Sequence, residues 1–392
     1  MNSKKNIAAY SGHRKDGRFL ILYAVGMVAV VTTHCSSGGL YLLQDFFDSW
    51  YLGIFVFAAG YFYRYEEEKH PLRYIGKKAK HLLVPLYLWN FTYALIVTLM
   101  GKIGFPMGVG ITWRKLFLFP LTNGHQFGYN LGAWFVAPLF MVEAVMAIVR
   151  FVVPAANERK WVIVKETALS VLFLAAGVTG VRLAQAGLNE GWFLVLDRLL
   201  YFLPFFQAGV LYRRVLEYHD RLRNTEYFVL VFLTDLVLCV INRSLPTYVY
   251  SWCNFTGYPI MPFLSGFVGI AFWLRAARIM DPIMGKSRIV TLIAGSTFSI
   301  MENQFMGFMA VKALFYAAYR YFHIFPTFDT YAFRTQYNYF FLPYNVQQTR
   351  LLYVIAGIFL PVLIQQAQGR IKGNAHALCS FIKKHQNHQQ RH

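Results

Sequence analysis

Runs of about twenty mostly apolar residues, the length a helix needs to cross a bilayer, recur down the whole of this chain. They lie near 19–37, 49–63, 82–100, 129–149, 161–181, 191–212, 227–246, 258–277, 296–318 and 350–369. The second is short, and 289–295 reads as an interfacial helix leading into the ninth. Composition points the same way: 57% of the 392 residues are hydrophobic and 14% are charged, against about 25% charged in a soluble domain. The expected fold is all-α, a polytopic membrane protein of about ten transmembrane helices. Residues 1–18 read as a cytoplasmic tail, 19–371 as a single transmembrane domain, and 372–392 as a polar, His/Gln-rich tail with partial disorder. The polar, basic start and the span-length run behind it do not read as a cleavable signal peptide.

A net charge of +20 would suggest nucleic acid for a soluble chain. Here the basic residues crowd into short loops between apolar runs. With the N-terminus inside, the inner segments hold 27 of the 38 lysines and arginines and the outer loops hold 8. Lys165, Arg198 and Lys312 fall within spans. This asymmetry follows the positive-inside rule, predicts that both ends are cytoplasmic, and removes the reason to expect nucleic acid. The lipid bilayer is the expected surrounding, and a homo-oligomer stays open. The four cysteines, Cys35, Cys239, Cys253 and Cys379, form no CxxC and no metal spacing, so neither a disulfide framework nor a metal site is expected. A Cys35–Cys253 bridge on the outer face is geometrically conceivable and is not adopted.

His34 closes the first span, in VVTTHCSSGG. Fifteen residues past Phe19 place it about 22 Å along the helix, in the outer half of the core. A titratable imidazole at that depth needs a cavity or a partner, and neutral histidine is the commonest general base. The bland reading is a histidine reaching outer headgroups. Glu302 is the most unusual acid, inside the ninth span beside Asn303 and Gln304. Intramembrane acids usually face a cavity and mark function. Glu302 would orient His34 or hold an acceptor hydroxyl; alternatively it is a structural partner of Lys312. Asp197 and Arg198 would pair with neighbouring helices. Trp134 and the segment Asn130–Gly132 open the fourth span, where they would offer stacking faces to a sugar or join the aromatic belt. Lys77, Lys78, Lys80 and His81 form a cluster at the start of the third span, where phosphate binding competes with ordinary anchoring.

These pieces resemble the acyltransferase-3 family of membrane-bound O-acyltransferases. The matching text is LYAVGMVAVVTTH (22–34), FVFAAGYFYR (55–64) and YIGKKAKHLLVPLYLW (74–89). Weaker echoes are LGAWFVAPLF (131–140), LPFFQAGVLYRR (203–214) and STFSIMENQF (296–305). The resemblance implies a donor acyl-CoA, usually acetyl-CoA, entering from the cytoplasm, with His34 as catalytic base and Glu302 beside it. It implies a surface glycan or lipid-linked sugar as acceptor, with Trp134, Asn130 and Asn303 on the acceptor side. It places the protein in a bacterial inner or plasma membrane. The donor contacts depart from the pattern: Tyr23 replaces a basic residue eleven positions before His34, and Lys78 and His81 stand where two arginines are usual. Arg18 is an imperfect substitute on nearly the opposite helix face, and Asn303 stands where a histidine is frequent. Two other functions stay open: a transporter or flippase for a lipid-linked saccharide, and a catalytically degenerate relative that binds a glycan.

Overall fold

A computed structural model describes residues 16–35, 48–153, 155–156 and 158–389, with side chains to Ile371. The expected tail up to residue 15, the last two residues of the first expected span and most of the loop after it lie outside the described residues. The described chain is helical, without strands. Its principal helices are α1 (Gly17–Cys35), α2 (Gly53–Tyr61), α3 (Pro71–Lys102), α4 (Val136–Val152), α5 (Arg159–Gln185) and α6 (Gly191–Leu211). They continue with α7 (Asn224–Asn242), α8 (Met261–Met284), α9 (Arg288–Gly295), α10 (Thr297–Phe322) and α11 (Arg350–Gln389). The chain is an all-α, polytopic membrane protein.

Each apolar run forms a helix where it was expected, but the helices are not ten equal spans. Among the described residues, eight helices are long and apolar enough to cross a membrane. The second run yields only the nine residues of α2, about 14 Å of helix and half of a bilayer core. The ninth, α10, has the length, yet its buried side includes Glu302, Asn303, Gln304 and Lys312. The last helix runs from Arg350 to Gln389 and passes through Pro361; Gln, Ala and Lys, which are adequate helix formers, fill much of its polar end.

α6 is the hub. Tyr201, Phe202, Phe205 and Phe206 are buried on it, whereas α5 and α7 leave most of their length exposed, as lipid-facing helices do. Lipid offers no hydrophobic drive between helices, so association rests on close packing. α2 and α6 achieve it with paired glycines: a Cβ on Gly60 would overlap the Phe206 carbonyl, and one on Gly209 would overlap the Phe57 carbonyl. Gly209→Ala should lower stability by about 1–3 kcal/mol through overpacking, read as earlier thermal unfolding of the detergent-purified protein. An unshifted melt would show that the contact can relax.

Buried charges find partners that the sequence did not reveal. Arg150, Glu68, Glu166, Lys165, Arg214 and Gln207 form one buried ionic knot joining α4, α5 and the end of α6. Arg150 reaches Glu166 at 2.8 Å and Glu68 at 3.3 Å, and Arg214 reaches Glu68 at 2.7 Å and Glu166 at 2.8 Å. Lys312 is not the partner of Glu302: its ammonium donates to the Tyr337 carbonyl at 2.8 Å and lies over the Phe340 ring. Arg198 turns to loop carbonyls rather than to a neighbouring helix. Both oxygens of buried Asp197 lack a hydrogen-bond partner among the described residues. Cys35, Cys239 and Cys253 are free thiols.

Candidate active site

His34 occupies the last turn of α1, where Arg350 at the start of α11 donates to the Cys35 carbonyl. A cation on a helix C-terminus complements both the open carbonyls and the dipole, and it fixes the turn that carries the imidazole. The ring is half-buried. Phe305 supports it at a centroid distance of 5.3 Å, and Nδ1 lies 3.0 Å from Gln304 Oε1. The amide orientation follows from the other end of Gln304, whose Nε2 donates to the Met301 carbonyl at 3.4 Å. Oε1 therefore accepts, Nδ1 carries the proton, and the Nε2 lone pair of His34 is available. Sequence reasoning weighed the acid of the Glu302–Asn303–Gln304 triplet and missed the amide that engages His34.

Consecutive residues on a helix point about 100° apart, so the triplet faces three ways. Gln304 meets α1. Asn303 accepts from the Tyr93 hydroxyl at 2.8 Å and donates to the Ser299 carbonyl at 3.0 Å; both ends of its amide are occupied by protein. Glu302 is 0% exposed, and neither oxygen has a partner at hydrogen-bond geometry among the described residues. The polar group that approaches it is the side chain of Asn130, itself buried without a partner on either atom. Glu302 and Asn130 are thus two buried polar side chains close to each other whose hydrogen-bonding capacity the rest of the described residues does not meet. The segment Asn130–Gly132 comes this close because Gly132 has no Cβ: one would overlap the Met301 carbonyl.

Other expected site residues are placed differently. Trp134 is buried; Arg198 lies 4.8 Å over its ring, and Phe202 and His125 stack beside it. It therefore anchors the loop and offers no open face to a sugar. Arg18 is engaged by Asp16 at 2.7 Å, Glu217 at 2.9 Å and the Tyr61 hydroxyl at 3.0 Å, so it anchors the start of α1. The basic cluster divides. Lys77, Lys80 and His81 are exposed, whereas Lys78 turns inward to Glu143 at 2.6 Å. Tyr23 stacks on Phe55 at 5.8 Å and lies within electrostatic reach of the same Glu143. Glu143 is a counter-ion that sequence reasoning left unassigned. No cluster of three or more metal-ligating side chains occurs among the described residues.

The family model of the acyltransferase domain matches residues 21–300, more than two thirds of the chain. The chain belongs to the acyltransferase-3 family. The matched segment includes His34 and the basic cluster and ends within α10, just before Glu302. No curated protein and no solved structure matches this chain.

Proposed function

We propose that this protein is a membrane-embedded O-acyltransferase, with both termini cytoplasmic, that moves an acyl group, acetyl in the first instance, from acyl-CoA to a saccharide hydroxyl. The observation that carries the reading is the His34–Gln304 pair: a half-buried imidazole in the last turn of a span, with Nδ1–H held by Gln304, inside an acyltransferase-family fold. Exposed Lys77, Lys80 and His81 receive the phosphates of the donor as point charges, with Lys78 shared between them and Glu143. The donor's thioester arm then passes Tyr23 and rises about 16 Å along α1 to His34.

His34 Nε2 removes the proton of the acceptor hydroxyl, and the oxygen attacks the thioester carbonyl. The tetrahedral centre collapses with cleavage of the C–S bond. The leaving thiolate takes the proton back from the imidazolium, which regenerates the neutral base and releases coenzyme A. Gln304 Oε1 holds the ring throughout and accepts from Nδ1–H while the imidazolium exists. Glu302 and Asn130 hold the acceptor from the side.

The test is transfer of label from radiolabelled acetyl-CoA by the purified full chain in vesicles, with envelope glycan and lipid-linked saccharide from the host as acceptors. Labelled glycan ester supports the reading; absence of coenzyme A binding overturns it in favour of saccharide transport. Gln304 has its own signature. Gln304→Leu should lower kcat by about 10- to 100-fold through loss of ring orientation, and Gln304→Glu, which restores an acceptor for Nδ1–H, should recover most of that loss. Equal losses in both variants would make Gln304 a packing residue only.

A further inference from the structure

Arg198 is buried inside α6, and its hydrogen bonds among the described residues go to backbone carbonyls rather than to a carboxylate. A guanidinium at such a place is costly unless its donors are used. They are used on two loops. Arg198 donates to the Thr122 carbonyl at 2.8 Å, to the Asn123 carbonyl at 3.2 Å and to the Ser251 carbonyl at 3.1 Å. Asn189 adds a tie to the Trp252 carbonyl at 3.2 Å. One buried cation thus pins the 122–126 loop to the turn at Tyr250–Trp252, and those two segments carry His125 and Trp252.

The rings of His125 and Trp252 stack at 4.7 Å with an interplanar angle of 18°, and Trp134 lies on the imidazole as well, at 6.3 Å. The tautomer of His125 is fixed. Nδ1 is 2.9 Å from the Asn123 carbonyl, and a carbonyl only accepts, so the proton is on Nδ1 and Nε2 presents a lone pair. No described residue bonds to that nitrogen. Burial, and then the nearby Arg198 charge, push the His125 pKa down to about 4, so the ring stays neutral at physiological pH and does not bind phosphate as a cation. His125 lies within electrostatic reach of His34. Trp252 is 42% exposed, unlike the covered Trp134.

A rigid neutral acceptor beside an open indole matches one ligand chemistry well. Pyranose rings present C–H faces, which suit the negative face of an indole, and they are rimmed by hydroxyl donors. We propose that Trp252 and His125 form the acceptor-saccharide subsite, Trp252 packing on the C–H face of a sugar ring and His125 Nε2 accepting from a hydroxyl near the one that is acylated. The subsite rests on the acyltransferase reading and names the part of that site which selects the acceptor.

The test uses p-nitrophenyl glycosides of glucose, galactose, mannose and N-acetylglucosamine with the full chain in nanodiscs. Saturation-transfer NMR should detect binding of at least one glycoside through its ring C–H protons, and Trp252→Ala should abolish that signal. His125→Phe, which keeps the stack and loses the lone pair, should weaken binding about tenfold, the scale of one lost hydrogen bond. His125→Gln, which restores an acceptor, should recover part of it. Matched thermal melts exclude simple misfolding, and a variant that melts early is replaced by Trp252→Phe, for which intermediate binding is expected. Binding unmoved by these substitutions, or binding of no glycoside by the wild type, overturns the subsite. Acetyl-CoA hydrolysis that depends on His34 is measured in parallel: if it persists while glycoside binding fails, the subsite falls and the acyltransferase reading stands.

Discussion

His34→Ala is expected to lower the turnover number for acyl transfer about 1,000-fold, in the middle of the range for loss of a positioned general base. That loss corresponds to roughly 4 kcal/mol of activation free energy. The size follows from the geometry. Gln304 holds Nδ1 at 3.0 Å, so the imidazole is already oriented and its lone pair is on Nε2. Alanine removes the proton carrier without disturbing Arg350, which caps α1 through the Cys35 backbone carbonyl. On the proposed reading the binding of coenzyme A should move by less than about twofold, because the phosphates are assigned to Lys77, Lys80 and His81 on α3 and not to the turn of α1 that carries His34. Single-turnover transfer from labelled acetyl-CoA, with coenzyme A affinity measured on the same preparation, separates the two. Retention of more than about a tenth of wild-type turnover would remove His34 from the role of base.

Arg150→Ala is expected to have the largest effect on stability, about 3–5 kcal/mol. The Arg150 side chain is 0% exposed and bonds Glu68 and Glu166, and it also donates to Gln207 at 2.6 Å. Removing it leaves Glu68 and Glu166 matched in charge by Arg214 and Lys165, but takes away a direct donor to Glu166 and to Gln207 in a low-dielectric interior. Water cannot reach them easily, so the hydrogen bonds lost with the guanidinium are not replaced by solvent as those of a surface pair would be. The double change Glu166→Gln with Arg150→Met should cost less than Arg150→Ala alone, because it removes charge from both sides of the knot. Thermal or denaturant unfolding in a fixed detergent measures both. A loss below about 1 kcal/mol for Arg150→Ala would place the knot in a hydrated environment, where ion pairs contribute little.

The knot shows why local reasoning stops where it does. Glu68, Arg150, Glu166 and Arg214 sit on four separate stretches of chain, and each alone looks like a loop or helix-end charge. Lys78 reads as one member of a basic cluster, and only the packing of α3 against α4 turns it to Glu143. Trp134 reads as an aromatic at the membrane interface, and only the approach of α6 puts Arg198 on its ring. The reverse holds at Trp252, a residue without a sequence signal that lies in a turn, is open, and stacks on His125.

His34 was legible because depth along a span is arithmetic: residue count times helical rise. Gln304, its partner, lies 270 positions away in the chain, and which member of Glu302–Asn303–Gln304 faces α1 depends on the rotation of α10 about its own axis. The sequence by itself determined that the chain is helical and membrane-spanning, and where along α1 the imidazole lies. The bilayer imposes length and apolarity on each segment separately, so those properties are written locally. The tertiary structure alone decided which polar groups inside the membrane meet. That depends on helix tilt and rotation, set by close contacts such as Gly132 against Met301 and Gly209 against Phe57, which join residues distant in sequence and leave no periodic signal in either partner.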